Sequence, residues 1–325
     1  MIVTAAGRDT FSPHHVERLQ AAADVTFRRR TERMSPAELA QVLADADYAA
    51  LTPRTLPPLD AATVAGLPPS LKGIAVFATG VDFADLDALE RRGILLCHLP
   101  DYSAISVAEH TLGLMLALSR RIHLSRDRVM GRVPPGTSVR GWELHGKTVG
   151  VVGVGRIGSR VARLAAAFGM RVIACDPRQP VADLEYFDLP TLLSESDVVT
   201  LHLPARWNAP PLIGMAELRR MRPGAVLVNV ARADLVDEGA VVRAIAAGHL
   251  RGYAVDDVLR DRVAAARLVE EGRIVETGHT AWYSQEALDR GYEEWVRNVI
   301  ALAEGAPRNV VRREAAEPAR AAWLR

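Results

Sequence analysis

The residues that decide the fold are Thr148-Val149-Gly150-Val151-Val152-Gly153-Val154-Gly155-Arg156-Ile157-Gly158. They read as a buried strand, a G-x-G-x-x-G turn and the start of an amphipathic helix running to about Phe168. A second strand, Arg171 to Cys175, follows and ends on Asp176. Each glycine has a physical reason. Gly153 permits the tight turn, Gly155 lets backbone amides approach a pyrophosphate, and Gly158 lets the helix lie close on the strand. The helix N-terminus adds partial positive charge where an anion would rest. A carboxylate at Asp176 can accept both ribose hydroxyls of NAD and would repel the 2′-phosphate of NADP. The glycine pattern alone is weak. Strand, turn, helix and acid in this order point to an NAD site, with Gly153, Gly155, Arg156, Ile157, Gly158 and Asp176 as its candidate contacts.

At 325 residues the chain exceeds one ordinary core, so two domains are expected. With 49% hydrophobic and 24% charged residues it has the composition of a soluble globular protein. A net charge of +1 gives no electrostatic footprint for nucleic acid or an anionic membrane. The local basic clusters, Arg28-Arg29-Arg30 and the arginines between 120 and 140, lack interleaved aromatics and read as solvated surface or subunit contact. The most apolar stretch, 112–118, is too short to span a bilayer and is broken by Gly113. No basic leader precedes the strand-like Met1-Ile2-Val3-Thr4-Ala5, so a cytoplasmic location is expected. Cys97 and Cys175, the two cysteines, each sit near the end of an apolar strand and are expected as reduced core residues.

Before the glycine turn, short apolar runs at 2–5, 25–27, 48–51, 74–78 and 94–97 alternate with helical patterns. Ser35-Pro36-Ala37-Glu38 has the spacing of a capping box with proline at the first helical position. This is a small open parallel α/β sheet. A long helix over 104–130 and a loop over 132–144 lead to six strands, at 148–152, 171–175, 197–203, 225–230, 250–255 and 273–276. The fold class expected is α/β, with two open parallel-sheet domains: a flavodoxin-like substrate domain and a Rossmann NAD-binding domain. A last helix, about 285–305, is expected to return to the first domain. The division would then be 1–99 with 284–325 for the substrate domain and 100–283 for the nucleotide domain.

The order of motifs resembles the NAD-dependent D-2-hydroxyacid dehydrogenase family over most of the chain. The resemblance rests on Thr79-Gly80-Val81-Asp82-Phe83-Ala84-Asp85 and on Leu99-Pro100-Asp101-Tyr102-Ser103 followed by Val107-Ala108-Glu109-His110-Thr111. It continues through His202-Leu203-Pro204, Met221-Arg222-Pro223-Gly224 to Ala231-Arg232, Leu235-Val236-Asp237-Glu238, and His279-Thr280-Ala281-Trp282. The resemblance implies further cofactor contacts at Thr111, Leu203, Pro204, Val230 and Asp256, the last beside the nicotinamide carboxamide. It implies that Thr79 and Gly80 offer backbone amides to a substrate carboxylate. No metal is expected.

The chemistry follows from residue types. Reduction of a 2-oxoacid needs a cation for the carboxylate and a proton donor for the oxygen that becomes an alkoxide. Arg232, at a strand end, has the planar fork to hold carboxylate and carbonyl together. His279, after the last strand, suits proton exchange near neutrality, since an unperturbed imidazole titrates near ~6.5. The other histidines read as structural or exposed, with His98 and His110 nearest the expected cleft. The family places a glutamate five residues beyond the position of Asp256 to orient the histidine; here that residue is Asp261. Asp257 and Glu276 are the alternatives, and an incomplete dyad is a further one. Trp282 departs from the small residue usual in the family. Its Ala-Trp-Tyr-Ser run resembles the C-terminal-binding-protein branch, and a tryptophan there would favour an apolar or aromatic substrate side chain or else pack the domain junction.

Three activities are therefore weighed. The first is hydride transfer between NAD(H) and a 2-oxo/2-hydroxyacid, in a homodimer formed through 104–140. The second is an NAD(H)-sensing, partner-binding protein with weak or no turnover. The third exchanges the carboxylate for a phosphonate or phosphite, which Arg232 would hold equally well.

Overall fold

In the computed structural model, which describes residues 1–179, 181–203, 210–311 and 323, the chain divides into two units. Met1–Ser103 and the segment beginning at Gln285 form the first, and Ala104–Ser284 with Trp323 form the second.

The first unit has five parallel strands: β1 (Ile2–Thr4), β2 (Val25–Phe27), β3 (Tyr48–Leu51), β4 (Gly73–Val76) and β5 (Leu95–Cys97). Their order, β2-β1-β3-β4-β5, is the flavodoxin-like one. The capping box forms as its spacing requires. The Ser35 amide donates to Glu38 Oε2 at 2.7 Å and the Glu38 amide to Ser35 Oγ at 3.3 Å, starting the helix Pro36–Val42. Helix Gln285–Ala303 packs on β3, β4 and the helix Pro13–Ala22. Its fully buried Trp295 donates its indole N–H to the Ala75 carbonyl at 2.9 Å, and Arg18 reaches Glu293 at 2.8 Å. Gly291 allows that close approach, since a Cβ there would lie 2.6 Å from the Phe77 ring.

The second unit has seven parallel strands: β6 (Thr148–Val152), β7 (Arg171–Cys175), β8 (Glu185–Tyr186), β9 (Val198–Leu201), β10 (Val226–Asn229), β11 (Gly252–Val255) and β12 (Ile274–Glu276). Their order, β12-β11-β10-β9-β6-β7-β8, is the doubly wound arrangement with one strand added at the β12 edge. Helices cover both faces of such a sheet, which is why its central strands read as continuous apolar runs.

Three details differ from the sequence expectation. The six expected strands are seven, because β8 is two residues long, carries a glutamate and has no apolar run; its pairing of Glu185 with Ile173 creates it. The helix expected over 104–130 is two, Ala104–Arg120 and Ile122–Val129, broken where Arg121 takes a left-handed conformation at φ 53°. Trp323, assigned from sequence to the first domain with the rest of the tail, is buried in the core of the second unit, where its carbonyl accepts from Cys175 Sγ at 3.8 Å. Both cysteines are free and buried, and burial pushes each thiol up to about 12, so neither is a thiolate near neutrality. No helix among the described residues is long and apolar enough to cross a membrane.

Candidate active site

In a parallel sheet all strand C-termini emerge at one edge. Where neighbouring strands send their connections to opposite faces, that edge opens into a crevice. In the second unit this happens between β6 and β9. The turn leaving β6 lies directly against the backbone leaving β9: a Cβ on Gly153, whose φ is 87°, would sit 2.7 Å from the His202 carbonyl oxygen. A Cβ on Gly158 would sit 1.9 Å from the Gly153 oxygen. Those two glycines are demanded by the fold. Gly155 is different, because a Cβ there would meet nothing within 4 Å. An exposed glycine with open space at the start of helix Arg156–Ala167 fits a site where a phosphate must come close to the backbone. Arg156 is exposed and Ile157 half-buried at the same helix start.

Asp176, at the end of β7, is buried. Its Oδ2 accepts the Val154 amide at 2.9 Å and its Oδ1 the Arg178 amide at 3.0 Å, with Arg178 Nε at 3.5 Å. The carboxylate thus braces the glycine turn from below. Beyond it opens a cleft of ≈ 470 Å³ lined by Asp176, Pro177, Gln179 and Tyr186 to Asp188. The turn, the acid and the cleft together fit a dinucleotide. Gly155→Ala should therefore leave the melting temperature within about 1 °C, because φ is −75° and no atom is displaced. The same change should weaken NADH binding by about tenfold or more, as titration of nicotinamide fluorescence would show.

The other expected cofactor contacts are distributed unevenly. Leu203 is buried just after β9 and Val230 half-buried just after β10, both at the crevice edge of the sheet. Next to Leu203, burial pushes the His202 imidazole down to about 3, so it is neutral at physiological pH, with Nε2 2.8 Å from the Thr200 hydroxyl. Pro204 lies outside the described residues. Thr111 is fully buried, and its hydroxyl donates to the Val107 carbonyl of its own helix at 2.7 Å. A threonine in a helix interior readily makes that bond, which uses the hydroxyl's one donor and leaves its acceptor sites.

Arg232 follows β10, and its placement depends on Asn229, which sequence reasoning passed over. Asn229 is buried; its Nδ2 donates to the Arg232 carbonyl at 2.8 Å and its Oδ1 accepts the Ala231 amide at 3.1 Å. One side chain therefore shapes the turn that presents the arginine. An asparagine closing an otherwise apolar strand was the available signal.

His279 follows β12 in a loop with two consecutive left-handed residues, Gly278 at φ 63° and His279 at φ 61°. Such a backbone needs external support, and Asp256 supplies it. Its carboxylate accepts the Thr280 amide at 2.7 Å, the Ala281 amide at 2.9 Å and the Thr277 hydroxyl at 2.8 Å. His110 Nε2 lies 3.0 Å from the same hydroxyl and 3.9 Å from Asp256. On the far side, the Trp282 indole N–H donates to the His279 carbonyl at 3.0 Å. The imidazole itself is exposed. Asp256 was expected beside the nicotinamide carboxamide; here both of its oxygens serve the His279 loop.

Asp261 is not brought to the histidine. It is the exposed N-cap of helix Arg262–Glu270, its carboxylate accepting the Ala264 amide at 2.9 Å while its own amide donates to Glu238 Oε1 at 2.8 Å. Asp257 accepts the neighbouring Val258 amide, and Glu276 takes the Leu259 amide at 2.8 Å with Arg262 at 3.6 Å. Among the described residues of this unit, none of the three carboxylates hydrogen-bonds the His279 ring. A shorter side chain in a segment that has become helical is used by that helix. Asp261→Asn, which keeps an oxygen for the cap, should change kcat by less than about twofold, and Asp261→Ala should cost about 1 kcal/mol of stability. Steady-state rates and denaturant melts of both variants check this.

In the first unit, Thr79 is exposed at the end of the segment after β4. Its hydroxyl donates to the Leu99 carbonyl at 2.9 Å and its own carbonyl contacts His98 Nδ1 at 2.8 Å, which settles the backbone beside Gly80.

Fold and site thus define a dinucleotide-binding oxidoreductase with two open parallel sheets. Residues 112–281 match the family described as D-isomer specific 2-hydroxyacid dehydrogenase, NAD binding domain, and the chain belongs to that family. It is 34% identical over 298 residues to glycerate dehydrogenase of Methylorubrum extorquens, an alignment covering 85% of this chain and 89% of that protein. It is 37% identical over 260 residues to D-3-phosphoglycerate dehydrogenase of Mycobacterium tuberculosis, covering 78% of this chain and 49% of that protein, so it spans about half of that longer relative. Among solved structures it resembles D-lactate dehydrogenase from Aquifex aeolicus complexed with NAD and lactic acid, with TM-score 0.80, 29% identity and coverage of 94% and 96% of the two chains. The cofactor is NAD and the class of reaction is 2-hydroxyacid oxidoreduction.

Proposed function

We propose that this protein interconverts a 2-oxoacid and a D-2-hydroxyacid, with Arg232 binding the substrate carboxylate and His279 exchanging the proton at the C2 oxygen. Bound NADH supplies the hydride for C2. Arg232 offers its two parallel N–H groups to the carboxylate, which sets the carbonyl in one orientation. His279, exposed on its supported loop, gives its proton to the oxygen as negative charge develops there and recovers it from solvent. The single observation that carries this reading is the support of the His279 loop: a buried carboxylate and an indole N–H hold an otherwise strained backbone around one exposed imidazole. Trp282, whose indole N–H is committed to the His279 carbonyl, favours an apolar or aromatic substrate side chain. The test is NADH oxidation with aliphatic, aromatic and hydroxylated 2-oxoacids. Turnover of none of them overturns the proposal.

One observation favours a second reading. With Asp261 used as a helix cap, His279 has no carboxylate partner among the described residues of its unit, as a sensor that had lost turnover would show. Under that reading, substitution of His279 leaves NADH-dependent partner binding intact. Cytoplasmic location and a homodimer through 104–140 complete the proposal; light scattering of the purified protein gives the subunit number.

A further inference from the structure

At the opposite edge of the second sheet, where β10, β11 and β12 begin, lies a cleft of ≈ 520 Å³. These strands, three to four residues long, separate the two edges by about 10–13 Å, so a ligand here cannot touch the reacting atoms. Three arginines line it: Arg121 from the break between the two helices, Arg251 just before β11 and Arg273 just before β12, with Thr137 and Ser138 on the adjoining loop.

The three guanidiniums are unequally satisfied. Arg273 is anchored by carbonyls, donating to Ile245 at 2.7 Å and Leu250 at 2.9 Å. Arg121 donates from one terminal nitrogen to the Glu271 carbonyl, but its Nε is buried without a hydrogen-bond partner among the described residues. Arg251 lies 5.4 Å from the centroid of the Trp142 ring and, among the described residues, has neither a hydrogen-bond nor an ion-pair partner on its guanidinium. The one acid lining the cleft, Glu271, is engaged by Arg267 at 2.7 Å and stands 3.9 Å from Arg273. Burial, and then the charge of Arg273, push the Arg121 guanidinium down from its ordinary value. Arg121 holds this place in a left-handed backbone that a non-glycine residue adopts only at a cost of about 1–2 kcal/mol. Converging cations with an orphaned buried donor, in a volume within the range of small-ligand sites, are chemically incomplete without an anion.

We propose that this cleft, whose Arg121, Thr137 and Ser138 lie within the 104–140 segment of the proposed homodimer, binds a small phosphate-bearing dianion, held by Arg121 and Arg251 together with Arg273, as a site separate from the cofactor and from Arg232. Guanidinium forks match phosphate oxygens with paired charge-assisted hydrogen bonds, and two hydroxyls stand at the rim for the remaining oxygens. A substrate-sized dianion held here would stabilise the helix break and the starts of β11 and β12 without competing with substrate.

The test is a titration of NADH-saturated full-length protein with inorganic phosphate, with glycerol 2-phosphate and with chloride at matched ionic strength, read by melting temperature and isothermal calorimetry. Saturation with NADH keeps phosphate out of the pyrophosphate site. The expected result is a saturable rise in melting temperature with one or both phosphates and none with chloride. The phosphate compound that saturates at lower concentration distinguishes a free-ion site from one that recognises a monoester. Arg251→Leu should raise the calorimetric Kd at least about tenfold, because it removes an exposed cation and keeps an apolar cover on Trp142. Arg232→Gln should leave that Kd unchanged, whether or not Arg232 serves the proposed reaction. Loss of the response in Arg232→Gln places the anion at the other edge and overturns the proposal. So does an equal response to chloride, a Kd unchanged in Arg251→Leu, or a silent wild type. A silent wild type together with a changed subunit number in Arg251→Leu would make the cleft a contact between copies of this chain.

Discussion

Replacing His279 with asparagine is expected to lower kcat for the best 2-oxoacid by about 10²–10⁴-fold, the usual cost of losing a positioned proton donor. NADH affinity should stay within about twofold. Asparagine is the informative replacement because position 279 is left-handed at φ 61°, a conformation that asparagine tolerates and alanine resists. The fold around the loop therefore survives, and the change isolates the imidazole. Stopped-flow measurement of the chemical step, beside a fluorescence titration of NADH, separates the two quantities. A variant retaining more than a tenth of wild-type turnover would sink the assignment of His279 as proton donor. If wild-type turnover is itself absent, the same variant with intact NADH-dependent partner binding supports the sensor reading.

Asp256→Asn should be the second severe change, and it would act on the histidine without touching it. The carboxylate accepts three donors from Thr277, Thr280 and Ala281. An amide has one oxygen to offer and turns its NH2 toward at least one of those donors. Hydrogen bonds to a charged group contribute about 1.5–3 kcal/mol each, so stability should fall by a few kcal/mol. A shift of about 1 Å in a reacting group can cost about 10²-fold, so kcat should fall by a similar factor. A carboxamide contact by Asp256 would instead raise the Kd for NADH while sparing the melting temperature. Thermal melts and NADH titrations of this one variant discriminate the two roles. The His110–Thr277 contact belongs to the same cluster, and His110→Phe should reproduce a smaller part of the loss.

Much of the architecture was legible because it rests on local patterns. A buried strand needs a continuous apolar run, a helix start needs a capping residue, and a nucleotide turn needs glycines where a Cβ would strike backbone. Gly153 and Gly158 meet that last condition in the structure. β8 was not legible, because two residues with no apolar run become a strand only through pairing with β7. The break at Arg121 was hidden for a related reason: no glycine or proline marks it, and the left-handed residue there reaches with its side chain to the Glu271 carbonyl, 150 residues away.

The candidate site divides along the same line. That Arg232, Asp256 and His279 would all gather at one edge follows from each standing within three residues of the end of a strand of a parallel sheet, which can be read from order alone. What each does there could not be read so. Asp261 stands at the spacing where a partner for His279 is expected, yet its side chain caps the helix that begins at the next residue. Asp256 stands where a cofactor contact is expected, yet its oxygens face the His279 loop. By itself the sequence determined the two-sheet fold, the NAD cofactor and the sheet edge that gathers Arg232, Asp256 and His279, since period, glycine placement and strand order are properties of neighbouring residues. Only the tertiary structure decided which acid supports the histidine and where three arginines converge, because a carboxylate or guanidinium reaches whatever the folded chain brings within about 3 Å, and that neighbour is rarely close in sequence.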